Sequence, residues 1–210
     1  MSVRNRTVRG SVSSEHIVQF FDTDESRAQN AATFLAKGYA AGEPMIVVAR
    51  RANWAAMVEH LEILGVPVGR AAADGTLVVK DADETLQRFS RGGMPIAALF
   101  DATIGEAVTA LSARGRVRAY GEMVDMLAQR GDLNEAVTLE GFWNDLSERV
   151  PLFLMCGYSA AHFVSTSTHR ALLEICKAHS GIHRDIEDPL GDWLLSSAHD
   201  AARSTPWARH

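Results

Sequence analysis

Three stretches of the sequence carry side chains that could do chemistry. In Arg116-Val117-Arg118-Ala119-Tyr120-Gly121-Glu122 the alternation is that of a strand, and a period of two puts Arg118, Tyr120 and Glu122 on one face. A strand covered by helices holds such groups only when they are paired, because an unpaired buried charge is costly. Either Arg118 and Glu122 sit at the strand's ends in structural ion pairs, or Tyr120 and Glu122 face a pocket there. The second stretch is Cys156-Gly157-Tyr158, where Cys156 and Tyr158 share a face and Gly157 permits close backbone approach. Cys156 could act as a nucleophile with a histidine beside it, and His162 is near in sequence; without one it is a small buried hydrophobe. The third is Cys176-x2-His179-x3-His183, three potential metal ligands at i, i+3, i+7. Gly181 is expected to end the helix between the two histidines, and no fourth ligand has suitable spacing. No metal and no cofactor are assigned. His16, which opens a strand, reads as a hydrogen-bonded structural residue or a ligand.

The elements that must position these residues alternate regularly. His16–Phe21 is a strand, followed by a helix that opens on the cap-forming Asp22-Thr23-Asp24-Glu25 and stops near Gly42. Pro44–Ala49 is a near-continuous apolar run, as a parallel strand covered on both faces requires. A helix over 54–64, a strand over 76–80, a short helix over 81–89 and a helix over 95–113 follow, with Gly92-Gly93 between the last two. Val117–Gly121 is the fourth strand and Pro151–Cys156 the fifth, separated by helices over 122–129 and 133–149; a helix over 168–178 closes the core. This alternation predicts a three-layer α/β fold, a mostly parallel central sheet flanked by helices. Residues 1–14 are expected to be a flexible basic tail, 15–183 one domain, and 184–210 an appendage with a short helix from about Pro189.

Composition excludes several classes. The 210 residues are 47% hydrophobic and 22% charged, with a net charge of −5, an ordinary globular balance without the basic footprint of nucleic-acid binding. Arg4, Arg6 and Arg9 read as a solvated tail. No apolar run is long enough to span a membrane, no secretory leader is recognisable, and two cysteines fit a reducing compartment, so a cytoplasmic protein is expected. A nucleotide hydrolase needs a Gly-rich loop and a lysine after its first strand. The turn here has neither, and its three carboxylates would repel phosphate. Asp101 resembles a Walker B acid, but Pro95 and the helical continuation put it on a helix.

The succession HIVQFFDTDES, FLAKGYAAGEPMIVVA, DADETLQRF, RVRAYGEMVDML, LEGFWNDL and PLFLMCGY resembles the MEDS sensory domain, the family of regulators from methanogens and methylotrophs. The likeness runs from about Glu15 to His179. It implies a RecA- or KaiC-type core that has lost its phosphate loop, and a sensing role for small, hydrocarbon-like molecules coupled to histidine kinases, anti-sigma-type switches or DNA-binding regulators. By position, His16, Arg118, Glu122, Cys156 and Tyr158 match the family's signature residues. The chain departs from the pattern at Phe21, where the family often has tyrosine, and at Gly181-Ile182-His183, where an aliphatic-proline ending is usual. No kinase, helix-turn-helix or receiver segment is recognisable, so the output is expected to run through a separate partner.

Three functions compete. A sensory module would bind a small molecule or a signalling protein in an apolar cavity at the strand ends, lined by Phe20, Tyr120, Met123 and Tyr158. An enzyme would use Cys156, or Glu122 with a histidine, as its reactive groups. A pure interaction protein would have that cavity filled and an exposed apolar patch beside it. The oligomeric state is not legible.

Overall fold

The computed structural model describes residues 14–182; the expected basic tail (bar Ser14), the appendage and His183 lie outside them. The first strand, β1 (Glu15–Phe21), enters α1 (Asp24–Ala40) through a capping box in which Thr23 Oγ1 accepts from Ser26 N at 3.1 Å. With Asp24 and Glu25 in the first turn, the helix start is stabilised by local hydrogen bonds and by carboxylates against the positive end of its dipole. β2 (Met45–Ala49) is buried at every position. It continues through α2 (Arg51–Ile63) and α3 (Val68–Ala73) into β3 (Leu77–Asp81) and α4 (Ala82–Phe89).

Gly92-Gly93, both at positive φ, turn a small antiparallel hairpin of β4 (Ser90–Arg91) and β5 (Met94–Pro95). The long helix expected next is α5 (Ala97–Phe100) and α6 (Glu106–Ser112), joined by a π-helical turn over Asp101–Gly105. Asp101 lies on this helical stretch and pairs with Arg149 at 2.6 Å. β6 (Val117–Gly121), α7 (Met123–Gln129), α8 (Leu133–Arg149) and β7 (Leu152–Ser159) follow. Short 3-10 turns lead to α9 (His169–Ala178) and then β8 (Gly181–Ile182).

Six strands form one parallel sheet in the order β3-β2-β6-β7-β1-β8. The sixth strand was not expected: Gly181 and Ile182 pair with Ile17 and Val18 at the sheet edge. The two core clusters divide along the sheet's two faces. Ile17, Met45, Val47, Tyr120 and Met155 pack with residues of α1, α2 and α3. Val18, Phe20, Val48, Ala119, Cys156 and Tyr158 pack with residues of α4 to α9. Strand periodicity therefore assigns each candidate residue to one side or the other.

Gly157 marks where this packing is tightest. A Cβ there would lie 2.8 Å from both Phe21 Cε2 and the Tyr120 hydroxyl, atoms of two buried aromatic side chains. Gly157→Ala is expected to cost about 1–3 kcal/mol through overpacking, read as a lower denaturation midpoint with an unchanged slope. An unchanged midpoint would mean that β7 has room to shift.

Candidate functional site

The polar residues gather in three groups, and the sheet keeps them apart. At the amino end of β6, Arg118 lies between the rings of Phe34 and Phe153, its guanidinium carbon 4.6 and 4.5 Å from their centroids. Its Nε donates to Glu43 Oε2 at 2.7 Å, and a Cβ on Gly38 would meet its side chain at 2.7 Å. Arg118 is a packed, paired structural cation on the α1 side. Tyr120 shares that face and is fully buried; its hydroxyl has no hydrogen-bond partner.

The second group caps the carboxyl ends of the central strands. Glu122 accepts from the Arg50 backbone N–H, from Asn53 Nδ2 at 2.7 Å and from Arg27 Nη1 at 3.2 Å. Arg27, on the α1 face turned to the sheet, also donates to Asp125 Oδ2 at 3.0 Å; Arg50 reaches the same oxygen at 2.9 Å. The Ser159 N–H closes the group on Asp125 Oδ1 at 2.7 Å. Burial pushes the Glu122 carboxyl above its ordinary range. Burial acts the same way on Asp125, but Arg27, the Ser159 N–H and Arg50 outweigh it and hold that carboxyl below its ordinary value. Here two cations face two carboxylates. His162, the expected neighbour of Cys156, lies instead 3.0 Å from Asp125.

The third group is buried on the other face, between β1, β7, α8 and the end of α9. Its centre is Glu140, fully buried and projecting from α8 toward the sheet. Tyr158 donates its hydroxyl to Glu140 Oε1 at 2.7 Å, and the Cys156 thiol lies 3.2 Å from Oε2. His16 Nε2 lies 3.3 Å from both Cys156 Sγ and Glu140 Oε2. His179 stands just past α9 with Nε2 3.4 Å from Glu140 Oε1, its ring centroid 4.1 Å from that of His16. Ser180 brings the two histidines together: its N–H donates to the His16 carbonyl at 2.7 Å, and its Oγ accepts from His16 N at 3.0 Å.

Each imidazole is oriented by its second nitrogen. His16 Nδ1 meets Asn144 Oδ1 at 2.8 Å, and the Asn144 amide nitrogen is committed to the Ala178 carbonyl. His179 Nδ1 meets the Ile175 carbonyl at 2.6 Å. A carbonyl only accepts, so each ring carries a proton on Nδ1 and turns its Nε2 toward Glu140. Burial pushes His179 toward the neutral form, and burial with the neighbouring carboxylate raises both the Cys156 thiol and the Tyr158 phenol well above their ordinary values. Cys156 is thus a protonated thiol here, without the character of an activated nucleophile.

Of the residues expected at one site, His16, Cys156 and Tyr158 come together. Phe20 stacks on Tyr158 and, edge-on, meets Phe163. Met123 is buried in the same core cluster, while Arg118 and Tyr120 lie across the sheet. Glu140, Asn144 and His179 were not assigned to this site from the sequence. His179 was read with Cys176 and His183, and Glu140 sits in an amphipathic helix where a carboxylate gives no separate signal.

The order of strands, the helices on both faces and the acidic turn after β1 define a RecA-type core without a phosphate loop. A KaiC-like protein from the hyperthermophilic archaeon Pyrococcus horikoshii has a similar fold: 18% identity, 82% of this chain and 75% of that one covered, TM-score 0.51. No curated protein matches in sequence. The profile of the MEDS family, the methanogen/methylotroph DcmR sensory domain, matches residues 15–180, and the chain belongs to that family. Among the described residues no helix is long and apolar enough to cross a membrane.

The Arg27 network makes a sharp prediction. Arg27→Met leaves Asp125 with the Arg50 guanidinium and Glu122 with no guanidinium at hydrogen-bonding distance, and is expected to cost about 3 kcal/mol or more. Asp125 has a lower proton affinity folded than unfolded. Its contribution is complete above the unfolded value of about 3.9 and is lost as pH falls through the lower folded value. Asp125→Asn should therefore flatten the acid limb of the stability–pH curve below about pH 4; an acid limb as steep as the parent's would assign it to other carboxylates.

Proposed function

We propose that this chain is a non-catalytic sensory module whose input is received at His16, Glu140, Cys156, Tyr158 and His179. The signal passes to a separate histidine kinase, anti-sigma-type protein or transcription regulator. The carrying observation is the convergence of five polar side chains in a fully buried site that core packing does not require. Family membership supports the sensory role. Catalysis by Cys156 is disfavoured because burial and the neighbouring Glu140 carboxylate raise its thiol, even with the His16 imidazole 3.3 Å away. Nucleotide hydrolysis is disfavoured because Asp22, Asp24 and Glu25 surround the position a phosphate would take, and Arg27 is already committed to Glu122 and Asp125. In this reading Arg118, Tyr120, Glu122 and Met123 are scaffold that holds the sheet, and Phe20 packs Tyr158 in place.

Two measurements test the proposal. Calorimetry with ATP and Mg2+ is expected to be flat; micromolar binding would show that a nucleotide site survives. In a reporter strain of the native host, Tyr158→Phe removes one hydrogen bond to a carboxylate, about 1.5–3 kcal/mol, and is expected to change the response far more than this loss of stability explains. Glu122→Gln should move the response only in step with the folded fraction. If both variants track stability alone, the input lies elsewhere.

A further inference from the structure

We infer that the buried cluster is a metal site in which His16 Nε2, His179 Nε2, Cys156 Sγ and a Glu140 oxygen bind one borderline-soft divalent transition-metal ion, with Zn2+ as the reference. This names the occupant of the proposed input site and rests on that reading for its sensory role.

The first argument is a count of protons. Five groups converge, and the two histidines spend their ring N–H on Asn144 and on the Ile175 carbonyl, facing away from the centre. What remains is the Tyr158 hydroxyl, committed to Glu140 Oε1, and a single thiol proton within reach of both Glu140 Oε2 and His16 Nε2. Nothing is left for His179 Nε2. That nitrogen is buried without a hydrogen-bond partner, its lone pair 3.4 Å from a carboxylate oxygen. Two imidazole Nε2 atoms, a thiol and a carboxylate oxygen turned on one point form a donor set that a cation between them would satisfy.

Geometry and chemistry agree with this count. Tetrahedral donors at zinc, with bonds of about 2.0–2.3 Å, stand roughly 3.3–3.8 Å apart. Four donor contacts here are 3.2, 3.3, 3.3 and 3.4 Å, and all four ligand atoms lie within 4.8 Å of one another. Two imidazoles, one sulfur and one carboxylate suit Zn2+ and its neighbours, whereas Mg2+ and Ca2+ take all-oxygen sites. The outer shell is built as well: Asn144 and the Ile175 carbonyl orient the histidines, and Tyr158 holds the carboxylate. A surface cavity of about 440 Å3, lined by His16, Asn144, Lys177, His179 and Ser180 among others, offers a route in. Binding would release the Cys156 proton to solvent, leaving a thiolate ligand.

The test uses the full-length protein, reduced and stripped by dialysis against chelator. Titration with ZnCl2 by calorimetry is expected to show one equivalent at submicromolar affinity, and CoCl2 should give a thiolate-to-cobalt absorption band. Cys156→Ser should abolish that band, and both it and His179→Gln should weaken Zn2+ binding at least about ten-fold. Cys176→Ser and His183→Gln should change neither. Should a ligand variant fail to fold, X-ray absorption of the Zn2+-loaded parent still reads the donor set, expected to be one sulfur at about 2.3 Å with nitrogen and oxygen at about 2.0–2.2 Å. No saturable binding, a donor set without sulfur, or binding lost with Cys176 or His183 overturns the inference. Metal binding without any effect of Zn2+ on the reporter leaves the site standing and sinks its sensory role. A reporter altered by Tyr158→Phe in a protein that binds no metal does the reverse.

Discussion

A carboxylate with no access to water sets the terms for one half of this molecule. Glu140 leaves α8 at the point where the helix crosses β1 and β7, and it is fully buried. An ion so placed must be met by hydrogen bonds and opposite charge, because desolvation costs several kcal/mol. Tyr158, Cys156, His16 and His179 supply what it meets. Their convergence needs the in-register pairing of β1 with β7 and the return of α9 to the sheet edge, where Ser180 and β8 hold it. Packing does not demand this arrangement. Apolar residues of similar volume in such positions are often as stable or more so, so the carboxylate is better understood through what it binds.

The contrast with the other polar groups sharpens that point. Arg118 with Glu43, and Arg27 and Arg50 with Glu122 and Asp125, pair each buried carboxylate with at least one guanidinium at hydrogen-bonding distance. Those groups are closed, and they join α1, α2 and α7 to the strand ends as structural ties. Around Glu140 no guanidinium stands at hydrogen-bonding distance; it meets two imidazoles, a thiol and a phenol instead. A closed ion-pair network and an incompletely satisfied one can look alike in a list of buried charges. Donor and acceptor roles, assigned atom by atom, separate scaffold from site.

Much of the fold was legible because parallel strands covered on both faces write themselves as apolar runs. MIVVA and LFLMC are unambiguous, and the capping residues Thr23 and Asp81 mark helix starts. The sixth strand was not legible: two residues have no periodicity, and Gly181-Ile182 joins the sheet through backbone pairing and the side chain of Ser180. The site was half legible. Period two put Cys156 and Tyr158 on one face, but the same rule could not say that Tyr120 and Glu122 belong across the sheet, since the relative phase of two strands is a matter of register. His179 was grouped with Cys176 and His183 by spacing along one helix, whereas the helix ends at Ala178 and turns His179 inward. Ligands drawn from four elements leave no motif in one stretch of sequence.

The location of the cluster also limits how an occupant could be felt elsewhere. A ligand shifts a conformational equilibrium only through contacts that differ between the two states. His16, Cys156 and Tyr158 stand on the paired strands β1 and β7, and Glu140 on a seventeen-residue helix packed against the sheet. His179 is different. It stands between α9 and a strand of two residues, tied to β1 through Ser180 and two residue pairs. Its Nε2 is also buried without a hydrogen-bond partner. An occupant held between His179 and Glu140 would therefore bear on the short edge strand β8, which is tied to β1 by two residue pairs.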